Sequence, residues 1–242
     1  MTPEARNGDG EEGDLPREFV KYSFYRLSPE WRRLAPEVRE AGRRRLREVL
    51  EEPPPDLLLR TYSTVGTRGD VDFALWMIAS DLEPIVRLHA RIAGTPMGGY
   101  LEQRHSYLGM ARRSEYLGEH AHASQPGEGR RPLDLPYLFV YPFIKRREWY
   151  SLPFEERRRI MGEHFRIGHR YPGVRIHTGY SFGLDDQEFI LAFEGSAPSE
   201  FLDLVRDLRP TEASRYTLLE VPIFTCRKVP VEDMLALAEG IP

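Results

Sequence analysis

The stretch DQEFILAFEGS at residues 186–196 repeats the pattern of DVDFALWMIAS at residues 70–80. Each stretch begins with acidic turn residues and a phenylalanine and continues as a short apolar run, which predicts a strand. The two stretches lie about half a chain apart, as an internal repeat would place them. Unrelated α+β segments can share so coarse a pattern, so the order of the surrounding segments decides between the two interpretations.

The surrounding segments follow the same order in both halves of the chain. The first half predicts strand, helix, strand, strand, helix and strand, at residues 17–27, 28–49, 56–65, 70–80, from 81 onward and 98–112. The second half predicts the same succession, at residues 136–146, 148–171, 174–183, 186–196, 199–208 and 214–226. The predicted fold class is therefore α+β, with two ferredoxin-like halves packed sheet to sheet.

Composition sets the boundaries of these halves. Residues 1–16 are rich in Gly, Glu and Asp and almost free of large apolar side chains, which predicts a disordered tail. Residues 118–134, GEHAHASQPGEGRRPLD, are polar and rich in Gly and Pro, which predicts a linker. The predicted domains are residues 17–117 and residues 135–242.

The overall composition excludes several classes of protein. The 242 residues carry a net charge of -4, which is too balanced for a duplex nucleic acid partner. No apolar run approaches the ~20 residues of a membrane-spanning helix, and the N-terminus lacks a signal-peptide pattern. The single cysteine, Cys226, excludes an internal disulfide framework and Cys-rich metal sites. These features predict a cytoplasmic protein without membrane insertion.

The generic catalytic motifs GxxxxGK[ST] and HExxH do not occur in the sequence. Cys226 lies in an apolar strand, which favours a buried structural thiol over a nucleophile. His120 and His122 form a His-x-His pair in the linker, where a solvated loop is favoured over a metal site. His164 lies on or beside the apolar face of its predicted helix, where a neutral imidazole suits a haem iron. A histidine satisfied within the core is the competing interpretation, and His89 occupies a comparable helix face in the first half.

Tyr141 and Lys145 lie on the strand before the His164 helix and are spaced to project from one face. Trp149 and Tyr150 follow at the helix entrance. A redox-capable tyrosine, a cation and a tryptophan can form a wall for an anionic aromatic cofactor. The competing interpretation is an ordinary sheet face with an extended lysine.

Longer motifs carry a family resemblance. The stretches SEYLGEHAH, VYPFIKRREWYSLPFEERRRIMGEHFRIGHRYPGV, YSFGLDDQEFILAFE and LRPTEASRYTLLEVPIFTC cover most of residues 115–226. They resemble the chlorite dismutase-like family of haem proteins, in the branch of hydrogen-peroxide-dependent coproheme decarboxylases. The resemblance implies a dimeric α+β barrel formed by both halves of one chain, a homopentamer, and haem or coproheme bound in the C-terminal half only.

The resemblance also implies roles for individual residues. His164 matches the proximal iron ligand. Tyr141 matches the tyrosine that becomes a radical and oxidises the propionates of coproheme, and Lys145 matches the lysine beside the reacting propionate. Trp149 matches a tryptophan that packs at the cofactor edge.

The motif leaves the distal residue open between neighbouring positions. A count of thirteen residues from His164 without gaps gives His177, and a small gap would shift the position to Ile176 or Thr178. Arg175 lies two residues too early, so the sequence offers no well-placed distal arginine of the kind that chlorite dismutases use.

The linker supplies the remaining candidates. Another branch of decarboxylases takes its distal histidine from this region, which makes His120 or His122 the alternatives to a residue on the strand. Either Arg130 or Arg131 is expected to hold propionates, and Arg131 enters the predicted site.

The predicted function is therefore peroxide-dependent oxidative decarboxylation of coproheme to haem b, with hydrogen peroxide as co-substrate. Two alternatives stay open. One is a haem enzyme of the same fold with peroxidase or chlorite-degrading activity, and the other is a non-enzymatic haem-binding protein.

Overall fold

Nine strands form an antiparallel sheet in the computed structural model, which describes residues 17–111 and 132–241. The strands are β1 Glu18–Leu27, β2 Leu57–Ser63, β3 Phe73–Ala79, β4 Leu101–Ala111, β5 Tyr137–Lys145, β6 Val174–Tyr180, β7 Phe189–Gly195, β8 Thr217–Leu219 and β9 Phe224–Lys228. The six α-helices of these residues are α1 Pro36–Glu51, α2 Glu83–Ala93, α3 Glu148–Ser151, α4 Phe154–Gly168, α5 Pro198–Leu208 and α6 Val231–Glu239. The fold is mixed α+β, as the sequence predicts.

Both long predicted helices are interrupted near their start by a proline. In the first half, a 3-10 turn at Trp31–Arg33 precedes α1, and Ala35 is extended before Pro36. In the second half, α3 ends before Leu152, which is extended ahead of Pro153 and α4. The residue before a proline avoids the helical conformation, so each predicted helix divides there.

The predicted strand over residues 214–226 is divided into β8 and β9. Pro222 lies between the two strands and has no backbone N–H with which to continue the ladder. The chain then forms α6, which the sequence analysis did not predict. Gly240 follows this helix with φ 82°, the left-handed conformation that commonly ends a helix.

Strand pairing passes through both halves and returns to its first strand. The order of neighbours is β7-β6-β4-β1-β3-β2-β9-β5, and β5 pairs in turn with β7. The β1–β3 and β5–β7 ladders each contain seven residue pairs. The two junctions between the halves, β2–β9 and β4–β6, contain two residue pairs each.

Alternation along the strands gives the sheet two apolar faces. One face forms a core shared by both halves, in which Tyr22 and Trp76 cluster with Val140, Ala192 and Phe224. On the other face, α1, α2 and α6 cover the first half, while α4 and α5 cover part of the second. The position of a strand residue in this alternation therefore decides whether its side chain meets the shared core or the helices.

Several predictions fall outside the described residues. They concern the tail at residues 1–16, the histidines His120 and His122, and the arginines Arg130 and Arg131. The predicted linker, residues 118–134, is described only from residue 132 onward. In the described part of the chain, no helix has the length and apolar character needed to cross a membrane.

Candidate functional site

The face of β5 that meets α4 and α5 carries the two residues predicted to be catalytic. Tyr141 belongs to an apolar cluster on this face, and Phe143 packs against that cluster. The ammonium of Lys145 lies 5.3 Å from the ring centre of Phe143. Val140 points to the shared core instead. Tyr141 and Lys145 therefore project from one face, as their spacing predicts.

His164 lies on α4 at the boundary between two apolar clusters. Met161, about one turn earlier, packs against the cluster that contains Trp149. Ile167, about one turn later, packs against the cluster that contains Tyr141. The apolar stripe of the helix passes from one cluster to the other at His164. Its half-buried imidazole is therefore placed where a flat ligand could contact both clusters.

No group among the described residues forms a hydrogen bond with the ring of His164. Burial, assisted by the Lys145 cation, lowers the pKa of His164 to about 4. The imidazole is consequently neutral near pH 7, and a ring nitrogen has a lone pair available for a metal.

His89 differs from His164 in its hydrogen bonds, which the sequence pattern could not show. Its Nδ1 lies 2.8 Å from the carbonyl oxygen of Ile85, and its Nε2 lies 2.9 Å from the hydroxyl of Ser23. Both ring nitrogens are therefore occupied within the fold. His89 is a satisfied core histidine, whereas His164 keeps its coordinating capacity.

The Lys145 ammonium is buried, and no carboxylate of the described residues lies within ion-pairing distance of it. Its Nζ donates a hydrogen bond to the carbonyl oxygen of Ala213 at 3.2 Å and lies 4.5 Å from the ring centre of Trp149. Burial lowers the pKa of Lys145 to about 8, although Glu188 acts to raise it. Buried charges are normally paired, so this cation favours an anionic ligand.

Glu188 organises the end of β5, a role that the sequence analysis did not assign. Its carboxylate accepts a hydrogen bond from the backbone N–H of Lys145 at 2.8 Å and from the Tyr150 hydroxyl at 2.7 Å. It also forms an ion pair with Arg147 at 3.5 Å. Glu188 therefore fixes the connection from β5 to α3, which carries Trp149. The residue lies within the GLDDQEF motif, but a sequence motif does not show which backbone a carboxylate holds.

Tyr141 forms part of the wall of a cavity of about 320 Å³ between β5, α5 and β9. The other walls are mostly apolar, and Arg209 and Glu220 line the same cavity as an ion pair. The Tyr141 ring stacks on Phe193 with 5.9 Å between ring centres. Burial and the Glu220 charge raise the pKa of the phenol, while Arg209 acts in the opposite direction. The phenol is therefore protonated at neutral pH.

The expectation that His177 contacts a ligand on this face does not agree with the structure. His177 pairs with Ala192, a residue of the shared core. Its Nε2 lies 2.8 Å from the carboxylate of the buried Glu194, and its ring packs edge-on against Trp76. The register of β6 against β7 decides which side chain faces α4, and a count of residues from His164 does not reveal that register.

Thr178, and not His177, lies on the face of β6 where the distal residue is expected. It pairs with Leu191, which in turn pairs with Tyr141, so the three residues share one face of the sheet. Ile176 lies two residues earlier on the same face. Arg175 lies on the His177 side of the strand. Of the residues considered at this position, Thr178 and Ile176 are therefore the two that face the site.

The site fits an iron porphyrin with acidic side chains. His164 supplies one neutral nitrogen ligand, which suffices for an iron already held by four porphyrin nitrogens. Lys145 supplies a buried cation for a carboxylate. Trp149 and Tyr141 supply aromatic surface on either side of the cluster boundary.

Comparison with known proteins identifies relatives of the chain. The family model described as chlorite dismutase matches residues 39–229. A coproheme decarboxylase from Mycolicibacterium smegmatis is 38% identical over 176 residues, which are 72% of this chain and 74% of that protein.

Solved structures show the same fold. Chlorite dismutase from Candidatus Nitrospira defluvii in complex with imidazole has a TM-score of 0.83 at 23% identity, covering 92% of this chain and 95% of that chain. An arginine-to-alanine variant of the same enzyme has a TM-score of 0.84 with the same identity and coverage.

Proposed function

We propose that this chain, which belongs to the chlorite dismutase family, catalyses the peroxide-dependent oxidative decarboxylation of coproheme to haem b. The observation that carries the proposal is the buried Lys145 ammonium, which has no carboxylate partner among the described residues, shares a strand face with Tyr141 and acts to lower the pKa of His164. Coproheme offers the carboxylates, the iron and the flat apolar ring that these residues accommodate. The 38% identical relative, a coproheme decarboxylase, supports this choice of substrate.

In the proposed reaction, His164 binds the iron of the substrate through its free ring nitrogen. Lys145 pairs with a propionate, and Trp149 lies against the edge of the macrocycle. The iron, once bound, supplies the oxidising chemistry with hydrogen peroxide. Tyr141 gives up its phenolic hydrogen and then takes a hydrogen from the propionate chain.

The proposed chemistry balances for each propionate. The propionate loses carbon dioxide, one proton and two electrons and becomes a vinyl group. One hydrogen peroxide takes up two electrons and two protons and forms two waters. Two propionates are converted in this way, so the complete reaction consumes two equivalents of peroxide. Arg130 or Arg131 is proposed to hold further propionates.

We further propose that the sheet is a dimeric α+β barrel of two ferredoxin-like halves, residues 17–117 and 135–242, joined by a linker over residues 118–134. The pairing order that returns to its first strand supports this arrangement. So does the apolar core to which both halves contribute. By family resemblance, we propose that the protein is cytoplasmic and forms a homopentamer. Light scattering of the purified protein would test the pentamer.

The proposed function is tested with two matched tyrosine variants. Tyr141→Phe should bind ferric coproheme with wild-type affinity but form no decarboxylated product when peroxide is added. Tyr137→Phe removes a tyrosine from the same face of the same strand and should retain product formation. Full product formation by Tyr141→Phe would contradict the proposal. Binding without turnover in the wild type would favour the non-enzymatic alternative.

Nothing in the described part of the site favours the chlorite-degrading alternative. The positions of β6 that face α4 are Val174, Ile176, Thr178 and Tyr180, and none of them is an arginine. Oxygen evolution from chlorite by the haem-loaded protein would overturn this interpretation.

A further inference from the structure

We propose that Glu220, held by Arg209, is the positioning residue that receives the phenolic proton of Tyr141 when this tyrosine is oxidised. The inference rests on the proposed function, in which Tyr141 is oxidised during each decarboxylation. It concerns a pair of residues to which the family motifs gave no role.

Tyr141 and the Arg209–Glu220 ion pair line the same cavity beside β5. Tyr141, Arg209 and Glu220 are the titratable side chains among its lining residues, and Phe201 and Val205 contribute to its apolar walls. Arg209 comes from the end of α5, and Glu220 comes from the segment between β8 and β9. The two side chains form an ion pair, so the carboxylate is held on the cavity wall.

The Tyr141 hydroxyl lacks a hydrogen-bond partner among the described residues. A phenol that loses an electron must also release its proton, so an acceptor has to lie within reach, directly or through one water. The cavity is large enough to hold water between the phenol and the carboxylate. Glu220 and Arg209 are also the charged groups that shift the pKa of the phenol, Glu220 upward and Arg209 downward.

Lys145 does not serve as the acceptor. Its pKa of about 8 keeps the ammonium protonated at neutral pH, so it has no free lone pair. His164 is committed to iron in the proposed reaction. The Glu220 carboxylate lies on the cavity wall in an ion pair with Arg209, and a proton that it receives can pass on to solvent, because its side chain is 26% exposed.

The step is balanced in atoms and charge. The O–H bond of Tyr141 breaks, its electron passes to the oxidant that peroxide supplies, and its proton moves through water to Glu220. When Tyr141 takes a hydrogen from the propionate, the phenol is restored. The proton on Glu220 then returns to solvent and leaves the carboxylate ready for the second propionate.

The first test measures the phenol without any porphyrin. A fluorinated tyrosine at position 141 titrates in an accessible pH range, and fluorine NMR follows its ionisation. Glu220→Gln should lower the pKa of that phenol, because it removes a negative charge from the cavity. Asp203→Asn is the matched control, since it removes a carboxylate from an exposed ion pair on α5 outside the cavity. An unchanged pKa in Glu220→Gln would overturn the proposal.

The second test measures peroxide-driven decarboxylation across a range of pH. Glu220→Gln should turn over at least tenfold more slowly than the wild type and show a different pH profile, because an amide cannot take up the phenolic proton. Glu220→Asp should recover most of the rate. Turnover of Glu220→Gln within twofold of wild type overturns the proposal even where the phenol pKa shifts. Failure of the proposed function itself would appear separately, as product formation by Tyr141→Phe.

Discussion

Lys145 pairs with a carboxylate only while its ammonium is protonated, so coproheme affinity should depend on pH. In the ligand-free protein, burial has brought its pKa down to about 8 from the ordinary 10.5. We expect the affinity to be constant below that pH and to weaken by up to about tenfold for each unit above it. Fluorescence quenching by ferric coproheme between pH 6 and pH 10 measures this change.

Two variants show whether the pH dependence belongs to this residue. Lys145→Gln should bind weakly at every pH and show no decline at alkaline pH. Lys228→Gln removes a partly exposed lysine on β9 that pairs with Asp134, and it should behave like the wild type. Wild-type affinity that stays constant to pH 10 would contradict the role given to Lys145.

At the residue scale, the sequence predicts which side chains of one strand share a face, because this follows from alternation. It does not predict which faces of two different strands coincide, because that depends on the pairing register. Tyr141 and Lys145 lie on one strand, so their shared face follows from spacing alone. His177 was assigned by a count that crosses a turn and enters another strand, and the pairing of that strand places it on the opposite face. Likewise, the pattern could not separate His89 from His164, because hydrogen bonds to Ser23 and Ile85 distinguish them.

At the scale of elements, two helical glycines should respond in opposite ways to the same substitution. A Cβ on Gly42 of α1 would lie 2.5 Å from the buried Trp31 ring, while a Cβ on Gly162 of α4 would meet nothing within 4 Å. Gly42→Ala should therefore cost about 1–3 kcal/mol of unfolding free energy through overpacking. Gly162→Ala should gain up to about 1 kcal/mol from helix propensity. Chemical denaturation of both variants checks the signs, and stabilisation by Gly42→Ala would contradict the packing described.

The carboxylate of Glu194 on β7 ties the start of the second half to the sheet. It accepts hydrogen bonds from the backbone N–H groups of Leu133 at 2.7 Å, Asp134 at 3.1 Å and Leu135 at 3.4 Å. The same carboxylate also contacts Nε2 of His177. Burial alone would raise its pKa, but the contact with His177 and these N–H groups lower it overall. Glu194→Gln should cost about 3 kcal/mol at pH 7.

This stabilisation has a defined pH dependence. Because the pKa of Glu194 is lower in the folded than in the unfolded protein, its contribution is complete above the ordinary value of 4.5 and is lost as the pH falls below it. The difference between wild type and Glu194→Gln in urea unfolding should therefore narrow from pH 7 to pH 4. Glu232→Gln, at an exposed carboxylate paired with Arg47, should change stability by less than about 1 kcal/mol throughout. A constant difference for Glu194→Gln would refute this explanation.

Secondary structure was predictable wherever the apolar period was uninterrupted. Strands β1 to β7 and helices α2 and α5 lie within or close to the ranges that the sequence indicates. The helix boundaries at Pro36 and Pro153 were missed because the apolar period continues across each proline, although the rule for the preceding residue predicts a break. Helix α6 was missed despite its signals, namely Pro230 before its first turn and Gly240 after its last.

At the scale of the whole molecule, the two halves should unfold together. Their junctions contain few residue pairs, but they share a buried core in which Phe24 of β1 stacks on Phe224 of β9 with 3.9 Å between ring centres. Phe224→Ala should destabilise the whole chain by about 3–5 kcal/mol. Circular dichroism and tryptophan fluorescence should report one coincident transition for both proteins. Two separate transitions in the wild type would show that the halves are independent.

The measurement that tests the central claim most directly is mass analysis of the porphyrin after stepwise peroxide addition to the coproheme-loaded protein. The proposed reaction predicts two sequential products, each lighter by one carbon dioxide and two hydrogens when the side chains are counted as propionic acids, with about two equivalents of peroxide consumed per porphyrin. Porphyrin that binds tightly but bleaches without these losses would contradict the assignment of Tyr141 and Lys145 to decarboxylation.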